Sequence, residues 1–184
     1  MSLELIANAG LGRDDPIIDI GGGASNLIEN LQRAGYCRLA LLDISSQALN
    51  HARDRLGERA GEVEWIEQDV TCFAAPHPYA LWHDRAAFHF LTARADRQRY
   101  VQALGRALSP DGQVVVATFA PDGPNRCSGL EVVRYDQEKL LAEFGPEFEL
   151  REHRSELHDT PGGREQRFSW FRLGRTQAKR IKPG

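Results

Sequence analysis

PIIDIGGGASNLIENLQR, residues 16–33, sets an apolar run, three consecutive glycines and an amphipathic segment in that order. Pro16–Ile20, apolar except for Asp19, reads as a strand covered on both faces, as parallel strands are. Gly21, Gly22 and Gly23 follow it, permitting a turn with positive φ and leaving the backbone open to close approach. From Ser25 to Arg33, Leu27, Ile28 and Leu31 recur at helical spacing, and Gly35 is a natural stop. Strand, glycine turn and helix in succession make the opening unit of a doubly wound sheet, whose first turn lies beside the ligand crevice.

The flanking sequence extends this pattern. Upstream, Leu3, Leu5, Ile6 and Leu11 predict a short leading helix ending near Gly10–Gly12. Downstream, Arg38–Asp43 reads as a second buried strand. Ser45 then caps a helix with Ala48, Leu49, Ala52 and Leu56 on one face. Glu62–Ile66 alternates like a third strand near a sheet edge, and Tyr79–His83 is a fourth. A helix over 96–108, a turn at Ser109-Pro110-Asp111-Gly112 and a fifth strand at Val114–Phe119 follow. Beyond them come a short helix at Gln137–Phe144, a strand near Glu147–Arg154, a turn at Pro161-Gly162-Gly163 and a last strand with Phe168 and Trp170. The final two strands read as an antiparallel hairpin on the sheet edge. The alternation predicts an α/β fold, a doubly wound and mostly parallel sheet with right-handed crossovers. One domain is expected over 1–174, followed by a basic, flexible tail at 175–184.

Composition narrows the function. At 184 residues the chain suits one domain with a substantial core. A net charge of −3 gives no broad attraction to nucleic acid or anionic membrane. The apolar runs are too short to span a bilayer and the first ten residues lack a basic segment before an apolar one, so a cytoplasmic location is expected. Cys37, Cys72 and Cys127 form no C-x-x-C pair, so neither a disulfide framework nor a metal site is expected. Two of them are expected to be buried and one to be a loop thiol.

Four expected strand ends carry an acid: Asp19, Asp43, Asp69 and Asp84. Asp43 lies 20 residues beyond Gly23, where a carboxylate can accept hydrogen bonds from ribose hydroxyls. Asp69 could receive an adenine amino group, with Val70 covering the ring. Two ligands compete for such a crevice, a nicotinamide dinucleotide and S-adenosylmethionine (SAM). The dinucleotide fingerprint G-x-G-x-x-G fails here, because Asn26 stands where the third glycine belongs. Asp19 would also repel a pyrophosphate, whereas it attracts the ammonium of SAM. Both arguments favour SAM.

IIDIGGGAS (17–25), LLDIS (41–45), EQDVT (67–71), HDRAAFHFL (83–91) and LSPDGQVVVATF (108–119) together resemble the class I SAM-dependent methyltransferases. The resemblance implies strand order 3-2-1-4-5-7-6 with strand 7 antiparallel. It also implies cofactor contacts at Asp19, Gly21, Gly22, Gly23, Asp43, Ile44, Asp69, Val70 and either His83 or Asp84, with S-adenosylhomocysteine (SAH) as product. Asp84–Phe88 resembles the D-[RK]-[GA]-x-[FL] element of the thiopurine and thiol methyltransferase branch, and a similar element occurs in some protein-lysine methyltransferases.

His83, Asp84, Arg85 and His89 are the candidate catalytic residues, since they fall beside the expected reaction centre and histidine titrates near neutrality. Arg85 could steer an anionic acceptor. The Gly- and Pro-rich loop Ala120–Tyr135, with Arg126 and Arg134, is expected to form an acceptor wall, and Cys127 to be a bystander thiol. The expected partner is a small-molecule acceptor taken by a monomer or homodimer, without nucleic acid or membrane. Competing readings are a protein-lysine methyltransferase, an NAD-dependent oxidoreductase and a non-catalytic SAM-binding module.

Overall fold

The computed structural model describes residues 1–159 and 165–176. In chain order its elements are α1 (Ser2–Asn8), β1 (Ile17–Ile20), α2 (Leu27–Arg33), β2 (Leu39–Asp43), α3 (Ser46–Leu56), β3 (Val63–Glu67), β4 (Tyr79–Arg85), α4 (Arg94–Ala107) and β5 (Leu108–Phe119). A small hairpin, β6 (Arg126–Cys127) and β7 (Leu130–Glu131), precedes α5 (Gln137–Phe144), β8 (Phe148–Asp159) and β9 (Glu165–Arg175). Seven strands form one sheet in the order β3-β2-β1-β4-β5-β9-β8. Counted along the chain without the small hairpin, this is 3-2-1-4-5-7-6. The first five strands pair in parallel, and β9 is antiparallel to both β5 and β8.

Each strand buries alternate residues in opposite layers. Ile17, Leu39, Leu41, Leu81, Val115 and Ala117 face a layer built by α1, α2 and α3. Ile18, Ile20, Leu42, Trp82, Val114 and Val116 face the layer of α4 and α5, through Tyr100, Leu104, Leu140 and Phe144. On β4 this alternation turns His83 toward the α1 layer and Asp84 toward the α4 layer, which separates two residues adjacent in sequence.

The SPDG turn lies inside an extended segment. Leu108 pairs with Tyr79 and Gln113 with Leu81, so the four intervening residues loop out while the strand resumes its register. A Cβ on Gly112 would come within 2.6 Å of the Leu108 side chain, which fixes glycine there. The expectation for the cysteines is corrected: Cys37 and Cys72 are exposed and Cys127 is half-buried. Cys37 lies in the loop entering β2 and Cys72 in a short 3₁₀ turn after β3, neither with a buried face to fill. Pro161–Gly163 and most of the basic tail lie outside the described residues.

Ser45 caps α3 as its sequence suggests, its hydroxyl accepting the Ala48 N–H at 3.2 Å. Ser45→Ala is expected to lower stability by about 1 kcal/mol, the usual cost of an N-cap. A urea midpoint unchanged from wild type would refute this.

Candidate functional site

The ends of β1, β2 and β4 meet at one edge of the sheet. Gly21 adopts φ 66°, opening the turn after β1. A Cβ on Gly22 would lie 2.2 Å from Asp19 Oδ2, and one on Gly23 would lie 2.5 Å from Ala48 Cβ and 2.9 Å from Asp43 Oδ2. The turn therefore packs directly on two carboxylates and on α3, with no room for side chains. Asp43 accepts the Gly23 N–H on Oδ2 at 3.1 Å and the Ser45 N–H on Oδ1 at 2.9 Å. Each oxygen keeps a lone pair for a further donor.

Beside this turn lies an apolar cavity of about 350 Å³, lined in part by Gly21, Asp43, Ile44, Asp69, Val70 and Phe90. Ile44 is 71% exposed, a large apolar side chain held open at the cavity wall. Asp69 accepts the Thr71 N–H on Oδ1 at 2.8 Å, which fixes the turn that carries Val70. Leu91, Gln68 and Ala87 also line the cavity without having been singled out in the sequence. They lie in irregular segments with no periodicity to mark them.

A second cavity of about 410 Å³ opens on the other side of the glycine turn. Its lining includes Ser2, Ser25, Asn26, Arg85, Glu156 and Trp170. Glu156 accepts the Trp170 indole N–H at 2.7 Å, and the Arg85 guanidinium lies 5.5 Å from the Phe168 ring centre. Arg85, the last residue of β4, is thus a cation at a mixed polar wall.

Asp19 and His83 are register partners on neighbouring parallel strands, both facing α1 and both 1% exposed. His83 Nδ1 donates to Asp19 Oδ1 at 2.7 Å, and His83 Nε2 lies 3.1 Å from Ser2 Oγ. Asp19 Oδ2 is buried beneath the glycine turn and has no hydrogen-bond partner among the described residues.

Asp84 occupies a different environment. It is fully buried, facing α4, and accepts from Ala87 N–H at 2.8 Å, Phe88 N–H at 3.0 Å and Tyr100 O–H at 2.7 Å. Tyr100 in turn accepts the Trp82 indole N–H. Burial pushes the Asp84 carboxyl up to about 6, while the Tyr100 and backbone hydrogen bonds pull it back down. Asp84 lines neither cavity, and its carboxylate holds the turn at 86–88.

His89 lines neither cavity. It is fully buried between the rings of Phe90 and Phe119, and neither ring nitrogen has a hydrogen-bond partner among the described residues. Burial lowers it to about 4. The folded state therefore refuses a proton that the unfolded chain takes near pH 6.5, so His89 destabilises the fold as pH falls from about 6.5 to 4. His89→Phe is expected to flatten this acid-side loss, read as urea stability across that range; an unchanged slope would contradict it.

Of the loop 120–135, Arg126 pairs with Glu131 at 3.5 Å on the exposed hairpin, and Arg134 donates to the Gly123 carbonyl. Neither arginine lines the 410 Å³ cavity, whose wall is made by α1, the start of α2 and the turn before it, Arg85, Glu156 and Trp170. Arg134 lines another cavity of about 430 Å³ with Pro121, Val132 and Lys139. The loop folds back because Val133 N–H bonds the His89 carbonyl and Tyr135 N–H the Phe119 carbonyl.

Comparison with known proteins adds to this geometry. The family described as "Methyltransferase domain" matches residues 17–112, from β1 through the turn after α4. The chain belongs to this family. The methyltransferase domain is 25% identical over 122 residues to the ubiquinone/menaquinone biosynthesis C-methyltransferase UbiE of Francisella tularensis subsp. novicida, covering 64% of this chain and 48% of that protein. It is 28% identical over 144 residues to the ubiquinone biosynthesis O-methyltransferase of Salmonella paratyphi A, covering 78% and 53%. The chain thus spans about half the length of the curated relatives it matches.

Among solved structures, a SAM-dependent methyltransferase of Methanosarcina mazei superposes with a TM-score of 0.75 at 17% identity, covering 93% of this chain and 96% of that one. The N-methyltransferase NodS of Bradyrhizobium japonicum, in complex with SAH, gives 0.76 at 16%, covering 95% and 85%. These likenesses establish that the methyltransferase domain has the fold of those enzymes.

Proposed function

We propose that this chain binds SAM in the 350 Å³ cavity and transfers its methyl group to a small-molecule acceptor seated in the adjoining 410 Å³ cavity, leaving SAH. The observation that carries this reading is the convergence of Gly21, Asp43, Ile44, Asp69 and Val70, five of the expected cofactor residues, on one apolar cavity. Ile44 and Val70 supply apolar cover for a purine, Asp69 an acceptor for its amino group, and Asp43 acceptors for ribose hydroxyls. The unpartnered Asp19 Oδ2 beneath the glycine turn suits a cationic amino group and disfavours a pyrophosphate. This weighs against the NAD-linked reading. Gly22 and Gly23 serve by lacking side chains, since any Cβ would collide with the carboxylates beneath.

When bound, SAM supplies an electrophilic methyl group on a good leaving group. The chain then aligns the acceptor and excludes water, and orientation of this kind is worth about 7–11 kcal/mol in favourable cases. Arg85 suits an anionic or ionising acceptor. The named relatives are C-, O- and N-methyltransferases, in keeping with a small organic acceptor rather than a protein lysine. The Asp84–Phe88 element, which resembles that of the thiopurine and thiol branch, acts here as a capped turn. It shapes the wall beside the acceptor, so a thiol acceptor is carried by the resemblance alone. Among the described residues no helix is long and apolar enough to cross a membrane. Three unpaired thiols suit a reducing cytoplasm.

Calorimetric titration with SAH and NAD, followed by a labelled-methyl screen against small thiols, phenols and amines, tests the assignment. SAH binding with transfer to a small nucleophile is expected. Failure to bind SAH overturns the reading, and transfer confined to a protein fraction favours the lysine alternative.

A further inference from the structure

His83 is sealed from solvent, yet it is connected to the acceptor cavity. Its Nδ1–H donates to a carboxylate oxygen that can only accept, which leaves the lone pair of the neutral ring on Nε2. The group at Nε2 is the Ser2 hydroxyl, 3.1 Å away, and Ser2 lines the 410 Å³ cavity together with Arg85, Asn26 and Trp170. The hydroxyl proton therefore points inward to the imidazole and its oxygen lone pairs are left for the cavity. Asp19 orients the ring and balances the imidazolium that forms when it takes a proton, the role a buried acid plays behind a catalytic histidine.

We propose that Ser2 is a catalytic residue and the outer end of a proton relay, Ser2–His83–Asp19, that deprotonates a protic acceptor as it is methylated. This rests on the methyl-transfer reading above. The acceptor X–H gives its proton to Ser2 Oγ while the Ser2 proton passes to His83 Nε2. The new X–C bond forms as the C–S bond breaks, its electron pair returning to sulfur, so the positive charge of the sulfonium reappears on the imidazolium beside Asp19. Nothing else is consumed. His83 and Asp19 are positioning residues, because each is 1% exposed and reaches the acceptor only through Ser2.

The charged and titratable neighbours of His83 are few. Asp19 faces it from β1. Asp84, next in sequence, points to the opposite layer. Arg85 and Glu156 stand at the cavity wall. From β9 the neighbour is the Trp170 ring, 6.2 Å away, with Arg172 two residues on and paired to Glu152. α1 contributes Ser2, with the exposed Glu4 two residues on.

The test compares wild type with Ser2→Ala and Ser2→Thr in the full chain. Transfer from labelled SAM is followed as a pH–rate profile on a simple thiol, a phenol and an amine of known pKa. At pH 7 Ser2→Ala is expected to be slower by about 10²-fold, within the range for a lost general base. The deficit should close as pH passes the acceptor's own pKa, because the acceptor then arrives ionised. Ser2→Thr should retain most of the neutral-pH rate. Parallel profiles for wild type and Ser2→Ala overturn the relay, since loss of a merely structural contact lowers rate without changing its pH dependence. If wild type binds SAH by calorimetry but methylates none of the three nucleophiles, the relay is overturned while the cofactor assignment stands. If wild type does not bind SAH, the methyltransferase reading itself has failed, and the relay with it.

Discussion

Asp84→Ala is expected to lower the unfolding free energy by about 3–5 kcal/mol, the range for removing one partner from a buried charged network. The carboxylate receives Tyr100 O–H, Ala87 N–H and Phe88 N–H, and all three donors would lose their acceptor in a layer without solvent. Each orphaned donor costs about 1–3 kcal/mol. A domain of this size has a total stability of roughly 5–15 kcal/mol, so the loss should be plain in urea unfolding. Tyr100→Phe, which removes one donor and leaves the backbone caps, should cost less. A loss below about 1 kcal/mol for Asp84→Ala would show that the turn at 86–88 is held by something else.

The same carboxyl has a pH signature of its own. Its folded value near 6 exceeds the unfolded value of roughly 4, so between those limits the folded state holds a proton that the unfolded state has released. Stability from this group is complete below that window and declines as pH climbs through it. His89 tilts the curve the other way over nearly the same interval. Asp84→Asn removes only the first tilt, which makes the two contributions separable.

Asp43→Ala is expected to weaken SAH binding on the order of 100-fold, corresponding to about 3 kcal/mol. The substitution removes the proposed ribose acceptors and also releases the N–H groups of Gly23 and Ser45, which the carboxylate ties together across the mouth of the crevice. Asp43 is only partly buried, so the fold should survive and calorimetry can be run on folded protein. Asp43→Asn keeps one carbonyl oxygen and should fall between the two. Unchanged affinity in the alanine variant would refute the role assigned to this acid.

The sheet was legible because its cues are local. PIIDI, LALLD and VVVATF are mostly apolar runs, and the first two are marked at the sheet edge by Gly21 and by Asp43. Asp43 and Ile44 were legible for the same reason. Asp84 was not, since its sequence position resembles theirs while its side chain faces the other layer and meets Tyr100, 16 residues away on α4. Ser2 gave no signal, being 81 residues from His83 and joined to it only by the docking of α1. Glu156 and Trp170 gave no cue either, because β8 and β9, long strands that read as plain edge structure, bring them to the 410 Å³ cavity, while the loop 120–135 lines a separate cavity of about 430 Å³.

Ala86 takes φ 69°, a left-handed conformation that costs a non-glycine residue about 1–2 kcal/mol. The bond from Ala86 N–H to the Ala117 carbonyl and the Asp84 caps hold it there. The conformation brings the Ala87 methyl to 3.0 Å from where a Cβ on Gly21 would stand, so bare backbone faces a single methyl group at that point. Gly21 and Ala87 both line the 350 Å³ cavity, so a side chain added at Gly21 would strike that methyl group and narrow the chamber from its floor, at a spot whose shape is kept under tension by a buried acid on the far side of the sheet.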